Sequence, residues 1–185
     1  MARKPKSVKT LVESPDAASM IIAKSTRHSK ITGDFAEGLV LYWLSKYGFE
    51  SARLDHTGID LIARNPATGE LFGVSVKSRS RTDNTADDSI TIPADNFTKA
   101  QEACDAFGCV PYFAIVVDAK ETIRVFLMSM SHLQQVCPVA KSAAYWKVAP
   151  QHLVKHLRDE QIMMFQFESK TNRWWKPHAA SKERV

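Results

Sequence analysis

The chain is poor in cysteine: Cys104, Cys109 and Cys137 are odd in number and form no close metal-ligand pair. That pattern speaks against a disulfide framework and a zinc site, so the three read as reduced core thiols. Long charge-free apolar runs are missing as well, which excludes a helical membrane span. The basic N-terminal stretch lacks an apolar run and a small-residue cleavage signal, so no secretory leader is expected and the protein reads as cytoplasmic and nucleoid-associated. Neither an internal repeat, a second-domain linker nor a base-reading motif is visible. What remains is 185 residues of 44% hydrophobic composition, enough for a globular domain with a sizeable core. The expected organisation is a basic arm over 1–13, a core over 14–129, an accessory helix and strand over 130–169, and a basic-aromatic tail over 170–185.

The richest local signal lies between Ile59 and Ser78. Ile59 to Arg64 and Leu71 to Ser78 are rich in Ile, Leu, Val and Phe, and the turn formers Asn65-Pro66-Ala67-Thr68-Gly69 separate them, which predicts a β-hairpin. With Asn65 facing Glu70, Ala63 pairs with Phe72, Leu61 with Val74 and Ile59 with Val76, giving one apolar face. A slip of one residue would turn that set outward, so the register is specified. In the same register Asp60 lies opposite Ser75, and Lys77 projects from the same face two residues on. A carboxylate and an ammonium converge there, either as an exposed ion pair or as part of a site.

Upstream, Asp34 to Tyr47 reads as a helix opened by Thr32-Gly33-Asp34 and closed by Gly48. Glu37 shares a helix face with Val40, Leu41 and Leu44, which turns its carboxylate toward apolar neighbours. Two roles are open to it. An inward Glu needs a partner; alternatively, Asp34 as N-cap with Glu37 three residues later approximates a capping box, which would use the Glu on the backbone.

A helix bearing Glu37, then Gly58-Ile59-Asp60-Leu61-Ile62, then Val74-Ser75-Val76-Lys77, resembles the PD-(D/E)XK nuclease superfamily, above all its Holliday junction resolvase and restriction-endonuclease-like branch. The resemblance covers roughly Gly33 to Val117. It implies an α/β, restriction endonuclease-like core: a mixed β-sheet with an antiparallel β-meander flanked by helices. It also implies that Glu37 and Asp60 bind Mg2+, with Mn2+ as a substitute, that an acid at position 75 binds it too, and that Lys77 assists the attacking water. Position 75 is Ser, a departure from the pattern. Two carboxylates, the Val76 backbone carbonyl and a substrate phosphate still offer the oxygen set magnesium prefers, but with less negative charge and weaker cation binding. Glu70 and Glu102 are the acids available to fill the gap, neither with a spacing argument behind it. Relatives that act on a junction's symmetric strands work as two-fold dimers, so the resemblance also implies a homodimer.

Elsewhere, Ser14-Pro15-Asp16 opens an expected helix running to about Ser25, followed by a basic connector with Lys24, Arg27, His28 and Lys30. Arg79 to Asp88 has no large apolar residue and reads as a loop. The connector and this loop supply the candidate nucleic-acid-binding residues Lys24, Arg27, Lys30, Arg79 and Arg81, although such runs are usually solvated faces. Ile90 and Ile92 mark a short strand, and Pro93 to Gly108 a helix with Phe97, Ala100, Cys104 and Phe107 facing the core. Val110 to Val117 reads as a buried strand with Thr122 to Met128 beside it, Gln151 to Asp159 as a helix and Ile162 to Phe167 as a late strand. His56, the one histidine near Asp60, reads as a surface residue. The net charge of +5 suits nucleic acid without establishing it. Arg3, Lys4, Lys6 and Lys9 form a basic arm, and Lys170, Arg173, Trp174, Trp175, Lys176 and Lys182 a tail whose tryptophans could stack on unpaired bases or pack on protein.

Three functions follow as expectations. The first is a magnesium-dependent endonuclease for branched or structured duplex DNA. The second is a nuclease-fold protein that binds nucleic acid or a partner and cuts poorly because of Ser75. The third is a restriction subunit needing a partner chain for target recognition.

Overall fold

A six-stranded mixed sheet runs in the order β1-β2-β3-β5-β6-β8. The computed structural model describes residues 24–81, 89–119 and 121–170, and those from Thr26 onward belong to one compact unit, Thr26–Trp174. The N-terminal arm, the helix expected from Ser14, loop residues 82–88 and the tail tryptophans Trp174 and Trp175 lie outside the described residues. Helix α1 (His28–Lys46) is followed by the antiparallel meander β1 (Glu50–His56), β2 (Ile59–Arg64) and β3 (Leu71–Arg81). Next come β4 (Ser89–Pro93), α2 (Ala94–Phe107), β5 (Val110–Ala119) and β6 (Thr122–Ser129). The remaining elements are α3 (Met130–Val136), β7 (Ala143–Lys147), α4 (Pro150–Arg158) and β8 (Met163–Glu168). β5 runs parallel to β3 and antiparallel to β6, which makes the sheet mixed, as expected.

The sheet separates two apolar layers. On one face α1 presents Ala36, Val40 and Leu44 to Leu61, Ala63, Phe72, Val74, Ala114 and Val116. On the other, Phe97 and Ala100 of α2, Leu133 of α3 and Trp146 of β7 cover Phe113, Ile115, Phe126 and Met128. β5 therefore sends alternate side chains into both layers, which is why its sequence is an almost unbroken apolar run rather than an alternating one.

Several expectations need correction. α1 begins at His28, not Asp34, so Thr32-Gly33 lies inside the helix and the basic connector supplies its first turn. β3 continues through Arg81 where a loop was expected from Arg79. Phe107 is exposed beyond the apolar stripe of α2, with its ring against the edge of the exposed His56, and Ala103 takes the buried position instead. The late strand is no accessory: β8 pairs with β6 as an edge of the main sheet, and its Phe165 stacks on Trp43 of α1 at 3.6 Å between centroids. β4 joins β7 in a separate two-stranded ribbon. The cysteines are unpaired, Cys104 and Cys137 buried and Cys109 half-buried. Burial pushes the Cys104 thiol up to about 12, which keeps it protonated and inert.

Candidate active site

The hairpin forms in the expected register, with Ala63 opposite Phe72 and Leu61 opposite Val74, and the Asn65 amide donates to the Glu70 carbonyl at 2.8 Å. The paired register ends at Leu61 and Val74, so the expected pairs Ile59–Val76 and Asp60–Ser75 do not form. The cause lies one turn earlier. β1 and β2 carry an irregularity between Arg53 and His56, and Gly58 adopts φ +107 where a Cβ would collide with the Lys99 carbonyl of α2. Drawn against α2, Ile59 packs with Ala103 and Cys104 instead of sharing the α1 face with Leu61. A strand irregularity of this kind re-aims the side chain that follows it.

That side chain is Asp60. Its Oδ2 accepts the Val76 N–H at 2.6 Å, taking the place of the carbonyl that a continuing ladder would supply. The N–H and C=O of one residue leave a strand on the same side, so the Val76 carbonyl heads for the same sheet edge. Val74 and Val76 pack in the α1 layer, and pleat alternation sends Ser75 and Lys77 to the α2 side. Ser75 is 2% exposed and its hydroxyl lies within the fold. Lys77 is half-buried, within electrostatic reach of Asp95 and Lys99 at the start of α2.

Glu37 reaches the same edge from α1. Because it stands nine residues after His28, it is mid-helix with no free amides to cap, and the capping-box role is ruled out. It is half-buried beside Ala36 and Val40. Burial, reinforced by the Asp60 charge, holds its carboxyl above the usual range, against the lowering influence of Arg53 and Lys30. Burial lowers the Lys77 ammonium, opposed by the charges of Asp60 and Asp95. The Asp60 carboxylate thus lies within electrostatic reach of both. Among the described residues neither the Glu37 carboxylate nor the Lys77 ammonium has a hydrogen-bond or ion-pair partner. The exposed Asp60–Lys77 ion pair does not form.

Among the described residues the other carboxylate oxygen of Asp60 has no hydrogen-bond partner. That oxygen, the Glu37 carboxylate and the Val76 carbonyl are hard oxygen donors of the type magnesium prefers, and Glu37 and Asp60 lie within electrostatic reach of each other. Among the described residues no three His, Cys, Asp or Glu side chains gather closely enough to hold a metal, so no third acid replaces the missing one. Glu70 sits at the far end of the hairpin, where it accepts the Tyr112 hydroxyl at 3.4 Å, and Glu102 is exposed on α2.

Of the basic candidates, Lys30 pairs with Asp34 at 3.5 Å within electrostatic reach of Glu37. Arg27 is the N-cap residue of α1. Exposed Arg79 lines a small recess with His28, Thr32 and Asp118. Arg81 ends β3, and Lys24 falls outside the compact unit. Two further charged groups lie near the centre. Asp95, in the first turn of α2, pairs with Lys99 at 2.6 Å, and Arg53 on β1 reaches the Asp34 carbonyl at 3.0 Å. Neither has a local sequence signal: the position of Arg53 opposite Leu61 follows only once β1 is placed.

No family model matches the chain, and no curated protein matches it. Among solved structures, the chain is similar to Hjc, a Holliday junction resolvase from the archaeal hyperthermophile Archaeoglobus fulgidus. The two share 18% identity over 62% of this chain and 83% of that one, with a TM-score of 0.47. At that identity and TM-score, what this chain does has to come from its own residues. Among the described residues no helix is long and apolar enough to cross a membrane.

Proposed function

We propose that the protein is a metal-dependent endodeoxyribonuclease of the PD-(D/E)XK type, acting on branched or otherwise structured duplex DNA. One observation carries the reading: the Asp60 carboxylate takes the place of a ladder acceptor at the Val76 amide, within electrostatic reach of two half-buried ionisable groups, Glu37 and Lys77, that have no partner among the described residues. Perturbed, unpaired charges of opposite sign at one sheet edge are costly to a fold, and they mark sites of chemistry more often than of packing.

Glu37, the free oxygen of Asp60 and the Val76 carbonyl would hold Mg2+, with Mn2+ as a substitute. When bound, the ion supplies polarisation of a phosphoryl oxygen and a more acidic water. Asp60 fixes the hairpin edge through the Val76 amide, so its remaining oxygen is held in place before any ligand arrives. Lys77 faces the same edge from the α2 side and can neutralise the charge that develops on the phosphoryl group. Its partial burial strengthens that interaction by excluding water.

Cleavage of junction, flap and linear DNA, with and without magnesium, tests the reading. Magnesium-dependent cutting that falls about 100-fold or more in Lys77→Ala is expected. No cut in any substrate, or cutting unchanged in Lys77→Ala, overturns it. A second reading has its own observation: Ser75 is buried and no third acid joins the centre, which favours a nuclease-fold protein that binds DNA and cuts slowly. Ser75→Glu in the same assay separates the two. Cutting created or strongly raised by that change identifies an attenuated enzyme, and high activity in the parent removes the second reading.

A further inference from the structure

Gly38 stands in the middle of α1, one residue after Glu37, although glycine is a poor helix former with no benefit to offer an ordinary helix interior. The structure gives it a purpose: a Cβ at this position would come within 3.0 Å of Nη2 of Arg53, closer than carbon ordinarily approaches. Arg53 lies directly opposite Leu61 in the β1–β2 pair. Leu61 is buried in the α1 layer, so Arg53 leaves the sheet toward the same helix and lays its guanidinium across the bare backbone at Gly38. There Nη2 donates to the Asp34 carbonyl at 3.0 Å. Among the described residues that is the only hydrogen bond of this guanidinium, and it forms no ion pair. A guanidinium carries five N–H donors in a planar fork, so most remain available on an exposed side chain whose position is already fixed. Its charge reaches Glu37.

We propose that Arg53 is a phosphodiester-binding residue of the centre, seated beside Glu37 by the Asp34 carbonyl and by the absence of a side chain at Gly38. The identity of the anion as a DNA phosphate rests on the nuclease reading above; the seat itself does not. Arginine suits the task because its fork meets two phosphate oxygens at once, and because a seat prepared before binding leaves less side-chain freedom to be lost. The competing view makes Arg53 a staple that joins the edge strand β1 to α1 and touches no ligand.

The two views differ in what Gly38 does. Binding of a fluorescein-labelled four-way junction and a linear duplex is measured by anisotropy in EDTA across a salt series, for the parent, Arg53→Gln, Arg53→Lys and Gly38→Leu, with the thermal midpoint of each. Arg53→Gln is expected to bind roughly tenfold more weakly, the loss due to one charge-assisted contact. Its slope of log affinity against log salt should flatten by about 0.9. Gly38→Leu fills the guanidinium's seat and should weaken binding alike while its thermal midpoint stays level or rises, because leucine favours the helix. Arg53→Lys keeps the charge but not the fork and should fall between. Unchanged affinity and slope in Arg53→Gln overturn the proposal, as does a Gly38→Leu variant that binds like the parent. A lowered midpoint with intact binding establishes the staple. Since binding is read without cutting, a chain that binds through Arg53 but never cleaves removes the nuclease reading alone. Cleavage indifferent to Arg53→Gln removes Arg53 alone.

Discussion

The two ends of the β2–β3 hairpin are built on opposite principles. At the turn the polar groups bond to one another: the Asn65 carboxamide oxygen accepts the amides of Ala67 and Thr68, the Gly69 amide donates to the Asn65 carbonyl, and the Glu70 amide donates to the Thr68 hydroxyl. Arg64 adds a bond to the Gly69 carbonyl at 2.9 Å. At the other end the ladder stops early, a carboxylate replaces a backbone acceptor, and Glu37 and Lys77 stand half-buried without partners among the described residues. The same two strands thus carry a closed end, where polar groups serve the fold, and an open end, where they are held apart at a cost to the fold. Unmet charge concentrated at one end of an otherwise consistent element is what a site of chemistry leaves behind.

Asp60 is where the contrast can be broken most severely, because it serves both purposes. Asp60→Ala removes the acceptor of the Val76 amide and should lower stability by about 2 kcal/mol, the range for hydrogen bonds to a charged group. Asp60→Asn keeps an oxygen for that amide and should unfold within a few degrees of the parent in a thermal melt. Both variants should lose magnesium-dependent cleavage by about 100-fold or more, since the charge is gone in each. An Asn variant that is stable and fully active would make Asp60 a structural residue and erase the difference between the two ends.

The closed end should give a smaller effect of one kind only. Asn65→Ala removes the side-chain oxygen that organises the turn, at an expected cost of about 1 kcal/mol, or roughly 2–4 °C in the thermal midpoint of a chain this size. DNA binding and cleavage should be unchanged. A loss of binding at this distance from Lys77 would place the substrate across the whole hairpin and would erase the division between its two ends.

What was legible in the sequence follows the same division. Alternation in Leu61, Ala63, Phe72 and Val74, with a turn whose chemistry fixes its length, was enough to give the register from Arg64 to Leu61, because local pattern and burial agree there. The open end was legible only as residue types. That Asp60 would cap Val76 depends on Gly58 meeting the backbone of α2, a contact between segments 41 residues apart that no local pattern records. The start of α1 is not legible because its N-cap Arg27 makes no side-chain capping hydrogen bond, while Thr32-Gly33-Asp34, which reads as a helix opening, is carried inside the helix by its packing on the sheet. β1 has exposed residues at most positions and so carries almost no apolar rhythm, which hid Arg53. The place of β8 beside β6 is likewise a matter of topology that short-range reading does not reach.

The smallest expected effect is the most pointed, since it concerns a residue whose charge works against the fold. Burial and the neighbouring Asp60 raise the Glu37 carboxyl above its unfolded value, so the ionised form is disfavoured in the native state. The resulting penalty is fully present above the folded pKa and disappears as pH falls below the unfolded one. Glu37→Gln should therefore melt slightly higher than the parent at neutral pH, and the gap should close as pH drops through the carboxylate range. Magnesium alone reverses the order. An ion held between Glu37 and Asp60 binds the native state in preference to the unfolded chain, so it should raise the midpoint of the parent with concentration and leave Glu37→Gln nearly unmoved. If magnesium shifts both proteins equally, Glu37 does not hold the ion. If Glu37→Gln melts lower than the parent at neutral pH, the carboxylate has a partner that stabilises it, and the open end is closed after all.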